Sequence, residues 1–234
     1  MQPVELLIEE EIWPYDLPIE LIKEPTEPVR FGCLYSAYHK DSPFQSIISV
    51  FYAKVKLKGE WIYLGARNTW SKKYMTLLQV YHLIKSDVFK TETDTLQAIE
   101  DDKEAKKFKA KHFCYATFSG KFFKRNEDDI LNHSRLICID LDKLGGELYW
   151  IRETVNRDPL TLMSFISPSG TGLKVIYQID PGKHSQATYY QYLSEYLSKL
   201  CSLPKQSIDE SCKDVSRACF LPCDPSAYLN LDLV

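Results

Sequence analysis

No apolar run in this chain approaches the ~20 residues that a membrane-spanning helix requires, so the reading is of a protein with no membrane partner. The first thirteen residues, MQPVELLIEEEIW, lack the basic opening of a secretory signal and carry acids instead. The seven cysteines include no Cys-x-x-Cys pair, the usual element of a structural zinc site. An odd number of cysteines at scattered spacing suggests reduced thiols, and together with the missing export signal it predicts a cytoplasmic protein. No Gly-Lys-Ser/Thr run is present, which excludes a Walker A loop. Internal repeats and low-complexity tracts are absent too.

What is present is ordinary globular material. The 234 residues are 44% hydrophobic and 26% charged, enough for one large domain or two small lobes around a proper core. The net charge of −3 argues against nonspecific nucleic-acid binding by the molecule as a whole. The charges are unevenly placed, however. Residues 1–30 hold eight acids against Lys23 and Arg30, and prolines 3, 14, 18, 25 and 28 forbid a long helix, so an acidic extended arm is predicted. Residues 103–125 hold eight Lys and Arg against Glu104 alone, a net of +7. Such a belt either meets a polyanion or is a solvated helix face.

Hydrophobic periodicity predicts the elements. SIISVFYAKVKLKGEWIYLGA reads as two strands joined near Lys58-Gly59. KKYMTLLQVYHLIKS reads as an amphipathic helix, and Thr93 or Thr95 would cap a second helix running to about Lys111. FCYATFSGKFFKR reads as strand, Ser119-Gly120 turn and basic-aromatic return. The run at 136–142 is a strand, 146–157 a helix, and 160–167 and 173–179 are strands. Residues 184–200 form a helix with Tyr189, Leu193, Tyr196, Leu197 and Leu200 on one face, a packing pattern rather than a base-stacking platform. Interleaved elements with at least one hairpin predict an α+β fold with a mixed or antiparallel sheet.

Three stretches carry chemistry-bearing residues. In LICIDLDKL, Asp140 and Asp142 end an apolar strand. Two residues apart, they share a face, with Cα atoms about 7 Å apart. Two carboxylates placed so repel each other, and a divalent cation compensates them best; otherwise the strand simply ends in a wet turn. In SPSGTGLK, two glycines and the hydroxyls of Ser167, Ser169 and Thr171 lie between two strands, with Lys174 at the start of the second. Such a loop lets backbone N–H groups approach a phosphate, or it is a plain glycine-rich turn. In IDESCKDVSR, Asp209 offers a third carboxylate and Arg217 a planar fork for phosphate; the alternative is a surface ion pair.

Taken in this order, the three stretches resemble the archaeo-eukaryotic primase (primase-polymerase) superfamily. The branch found in mobile elements, where such a domain often precedes a VirE-like helicase, is the more similar one. The resemblance rests on YATFSGKF, HSRLICIDLD, SPSGTGLKVIY and DVSRACFLPCDP, and covers roughly residues 105–228, with weaker similarity near SVFYAKV. It implies an RRM-like palm, here 111–234, and an N-terminal α/β lobe at 31–110, together one compact primase-like domain. It implies a nucleotidyltransferase of DNA replication in a mobile or phage-like element. Its catalytic, metal-holding carboxylates would be Asp140, Asp142 and Asp209, binding two Mg²⁺ or Mn²⁺ ions. Ser167, Ser169, Gly170, Gly172, Lys174 and Arg217 would bind a nucleoside triphosphate. The implied partners are a single-stranded DNA template, for which 103–125 is the candidate path, and a helicase. The widespread family pattern has His where Lys174 stands. Lysine neutralises a phosphate as a point charge but does not shuttle protons near neutral pH.

Other readings are weaker. A haloacid-dehalogenase-like phosphatase would need Thr or Val soon after the second Asp, where Lys143-Leu144-Gly145 stands. A zinc site from Cys201, Cys212, Cys219 and Cys223 competes with ordinary buried thiols. A primase-like module that has lost chemistry and only docks DNA or a helicase is the alternative function.

Overall fold

The computed structural model describes residues 42–57, 60–71 and 73–233. The acidic arm expected at 1–30 and the Lys58-Gly59 turn lie outside the described residues. The first apolar segment divides into β1 (Ile47–Phe51) and a hairpin of β2 (Lys54–Leu57) and β3 (Glu60–Tyr63). The helix expected over 72–86 begins later. Its first residues form β4 (Lys73–Thr76), paired antiparallel with β1, and α1 runs only over Leu77–Lys85. A capping box sets the boundary: Gln79 N–H donates to Thr76 Oγ1 at 3.1 Å, and the Thr76 N–H donates to Gln79 Oε1 at 2.9 Å.

The second expected helix is two, α2 (Lys90–Gln97) and α3 (Asp102–His112). Asp101 divides them by accepting the N–H groups of Lys103 and Glu104 at 3.0 and 2.8 Å. Thr93 is no cap. It is buried within α2, and its hydroxyl accepts the Cys223 N–H at 2.9 Å. Short strands β5 (Tyr115–Thr117), β6 (Gly120–Phe122) and β7 (Ile130–His133) follow. The second half of the chain then runs β8 (Leu136–Leu141), α4 (Leu148–Asn156), β9 (Thr161–Ile166), β10 (Leu173–Gln178), α5 (Gln186–Leu200), β11 (Cys219–Phe220) and β12 (Tyr228–Leu229).

Among the described residues two four-stranded sheets form, in the orders β11-β5-β1-β4 and β12-β9-β10-β8, with β2–β3 and β6–β7 as separate ribbons. Every pairing among the described strands is antiparallel, so the fold is α+β with antiparallel sheets. β5 and β6 are contiguous around Ser119 yet belong to different sheets.

Period-2 alternation divides the second sheet between two cores. Ile137, Ile139 and Leu141 of β8, with Leu173, Val175 and Tyr177 of β10, pack against Ile151 and Val155 of α4 and Leu197 of α5. The opposite face presents Leu136, Met163, Phe165 and Ile176 to a core shared with Ile48, Val50 and Ala116 of the first sheet and Leu77, Val80 and Ile84 of α1. With both faces covered, β8 and β10 are nearly continuous apolar runs, and each fully buried Leu, Ile or Phe contributes about 1.5–3 kcal/mol. Asp140 and Lys174 fall on the face turned toward the first sheet, at the same alternation positions as Leu136, Cys138 and Ile176.

Candidate metal and phosphate site

Register brings the first charge pair together. In the β8–β10 ladder Lys174 lies directly opposite Asp140, and its Nζ donates to Asp140 Oδ2. Both side chains are about nine-tenths buried. Burial alone would lower the Lys174 pKa, but the adjacent carboxylate outweighs it and holds the ammonium above its ordinary value. The other Asp140 oxygen, Oδ1, is buried and makes no hydrogen bond. A buried carboxylate oxygen with no donor is costly, and it is where a cation or a further donor fits.

The end of β8 recruits the remaining carboxylates. Asp142 N–H donates to Ser207 O at 2.7 Å, Asp209 N–H donates to Asp140 O at 2.9 Å, and Leu141 bridges Ile208. This short strand-like pairing carries Asp209 to the dyad across 67 residues of chain. One oxygen each from Asp140, Asp142 and Asp209 lies within 4.8 Å of the other two. Asp142 is exposed but partly desolvated. That desolvation, with repulsion from Asp140 and Asp209, raises its pKa. Asp209 moves the other way. Burial pushes it up, but hydrogen bonds from Ser211 and the Arg217 guanidinium, 2.5 Å from Oδ2, leave it below the ordinary carboxylate value.

The 167–174 loop abuts this cluster. Gly172 approaches so closely that a Cβ there would sit 2.5 Å from Leu141 O and 3.4 Å from Asp142 Oδ1. Gly170 has φ +74°, a conformation that glycine adopts without strain. Ser167 Oγ accepts the Gly172 N–H at 3.1 Å and lies 3.2 Å from Ser169 Oγ, which lies 3.0 Å from Thr171 Oγ1. The hydroxyls thus brace the turn. From α2, Gln97 Nε2 donates to Pro168 O at 3.2 Å and covers its outer side.

A small cleft opens beside Asp140, lined among others by Ser119, Lys174, Gln186, Arg217 and Cys219. Of the six expected loop and cation residues, Lys174, Arg217 and Gly172 meet a carboxylate, while Ser167, Ser169 and Gly170 make their contacts within the loop or with Gln97. Lys174 and Arg217 each grip a carboxylate, a role the sequence reading did not assign them.

Sequence reasoning missed Lys109 as a site residue, counting it only in the basic belt. On α3 the half-buried positions are Ala105, Phe108, Lys109 and His112, a helical stripe with one cation in it. Lys109 Nζ lies 5.8 Å from the Phe220 ring centroid. Burial and repulsion from Lys174 lower its pKa, while Asp140 and Asp142 partly offset both. The belt is thus divided: Lys109 is half-buried beside Phe220, and Lys103, Lys106, Lys107 and Lys111 face solvent.

A family model for the BT4734-like, N-terminal domain matches residues 107–229, just over half of the chain. The chain belongs to the BT4734-like N-terminal domain family. The matched segment of this BT4734-like chain contains all three carboxylates, the Ser/Gly loop, Lys109 and Arg217. No curated protein and no solved structure matches it.

Proposed function

We propose that this protein is a metal-dependent nucleotidyltransferase of the primase-polymerase type, working on a single-stranded DNA template in replication of a mobile or phage-like element, alone or with a helicase. The observation that carries the reading is the convergence of one oxygen each from Asp140, Asp142 and Asp209, with Oδ1 of Asp140 buried and unpartnered. Three hard oxygen donors suit Mg²⁺ or Mn²⁺. A cation there would stabilise the charge that develops when a nucleotidyl group is transferred.

The chain's own groups have separable roles in this reading. Lys174 fixes one Asp140 oxygen and so aims the other. Ser211 and Arg217 hold Asp209 ionised. Gly172 keeps the loop close enough for its backbone and hydroxyls to meet a triphosphate. Lys109, and Arg217 from its half-exposed position, supply positive charge to the phosphates. The test is template-dependent incorporation of labelled nucleotide with Mg²⁺ or Mn²⁺. Wild type is expected to incorporate; Asp140→Asn, less stable but assayed below its lowered Tm, and Asp142→Asn, with stability unchanged, are both expected to lose incorporation. Activity retained in Asp140→Asn removes the metal assignment.

A second reading has its own support. Lys174 and Arg217 already neutralise Asp140 and Asp209, as in a primase-like module that docks DNA or a helicase without chemistry. Failure of Mn²⁺ to bind at any concentration favours that module.

A further inference from the structure

Strand β6 starts at the cavity wall, where Phe118 and Ser119 line it, and leads away to Phe123 and Lys124. At ~3.3 Å per residue, the path from Ser119 to Lys124 is about 16 Å long. At its far end two large rings stand in solvent: Phe123 is 56% exposed and Trp70 50%. They contact each other edge to face, with centroids 5.1 Å apart. Lys124 Nζ lies 5.6 Å from the Trp70 ring centroid, and Lys121 Nζ lies 4.2 Å from that of Tyr74.

This patch is held in place by backbone pairing. Trp70 bridges Lys124, Arg125 N–H donates to Thr69 O at 2.7 Å, and Ser71 N–H donates to Phe123 O at 3.4 Å. Arg125 is committed to Tyr115, whose hydroxyl accepts from its Nε at 3.1 Å. Lys121 and Lys124, half-buried with their ammonium groups beside Tyr74 and Trp70, are the cations of this patch, and Glu127 and Asp128 in the next turn end the positive stretch.

Adjacent exposed aromatics on a fixed backbone mark an interaction surface. Ammonium groups flanking them select an anionic ligand with flat π faces. Single-stranded nucleic acid has both, since its bases are free to stack and its backbone is charged. A duplex buries those faces. We propose that Trp70 and Phe123, flanked by Lys121 and Lys124, form a stacking platform for an unpaired nucleic-acid strand and deliver it along β6 to the carboxylate cavity. The strand's role as template rests on the nucleotidyltransfer reading; the binding itself is measured apart from it.

The experiment is fluorescence anisotropy of a labelled oligothymidylate titrated with the full chain at several salt concentrations, with circular dichroism to verify folding. Wild type is expected to bind. Trp70→Ala and Phe123→Ala should each weaken binding by ~5-fold or more, while Trp70→Phe and Phe123→Tyr keep most of it. Lys121→Ala with Lys124→Ala should flatten the slope of log affinity against log salt by about 1.4. No binding by wild type, or unchanged affinity in the folded alanine variants, overturns the platform. So does preference for a duplex, or a loss on alanine substitution of self-association rather than of oligonucleotide binding. Binding that follows the expected pattern in a protein that incorporates no nucleotide leaves the platform standing and refutes the nucleotidyltransfer reading instead.

Discussion

The Asp140–Lys174 pair lends itself to a double-mutant cycle. Each partner is about nine-tenths buried, and each charge is compensated across the β8–β10 ladder by the other. Removing one partner leaves the other ionised in a place that water barely reaches, a loss of about 3–5 kcal/mol. Lys174→Met and Asp140→Asn should therefore each be strongly destabilising. For a chain of this length each kcal/mol lowers Tm by about 2–4 °C, so a fall of about 6–20 °C is expected. The double variant carries no buried charge at the pair and fills similar volume. It should lie nearer the wild type than either single variant does, with a coupling energy above ~2 kcal/mol. Urea unfolding in the presence of a chelator measures all four corners. Additivity within about 0.5 kcal/mol would refute the reasoning, because it would mean that the two charges do not depend on each other.

Three further outcomes are expected. Mn²⁺ at 100 times its dissociation constant should stabilise the wild type by about 2.7 kcal/mol. Asp142→Asn should lose that gain with no loss of stability in chelator, since its carboxylate is repelled by Asp140 and Asp209; differential scanning fluorimetry with and without Mn²⁺ reads both. Gly172→Ala should push β8 and the loop apart, because its Cβ would meet Leu141 O at 2.5 Å. A destabilisation of about 1–3 kcal/mol in urea is expected, with weakened Mn²⁺ binding by titration calorimetry. His82 is kept below its ordinary pKa by burial and by Lys85, so the unfolded chain binds the proton first as pH falls. Its contribution is full above about pH 6.5 and is progressively lost below it. His82→Gln should flatten the dependence of urea-unfolding stability on pH between 7 and 5.5.

The strands β8, β9 and β10 and the helix α5 were legible because local pattern and tertiary role agree. Long apolar runs became sheet strands covered on both faces, and the Tyr/Leu stripe of α5 became a packing face. Where the reading went astray, a local signal had been outranked by hydrophobic periodicity. Thr76-x-x-Gln79 announces a helix start within a segment whose apolar spacing already looks helical, and Asp101-x-x-Glu104 announces another between α2 and α3. The two-residue strands β11 and β12 have no such signal, since they exist only through pairing with β5 and β9. The convergence of Asp209 on Asp140 is of the same long-range kind. It depends on backbone hydrogen bonds between 207–209 and 140–142, and no local pattern encodes them. Lys109 was legible in principle, as the one cation on the half-buried stripe of α3, but the surrounding lysines hid it.

The charge count around the cavity decides between a site built for a cation alone and one built for a cation with a polyanion. Asp140, Asp142 and Asp209 contribute three negative charges. Lys174, Arg217 and Lys109 contribute three positive ones, two of them in direct ion pairs with the carboxylates. A site of zero net charge has little general attraction for a free divalent ion. Once such an ion occupies the carboxylates, the surplus of positive charge in a partly desolvated cavity favours a phosphate chain. Under the proposed function, cation and polyphosphate would bind as partners, each raising the affinity of the other by the same factor. A histidine at position 174 would also be favoured in its charged form by Asp140, but unlike lysine it could lose that charge near neutral pH. Under the proposed function, the permanent charge of the lysine would favour joint binding, with Gly172 of the Ser/Gly loop seated close to Asp142.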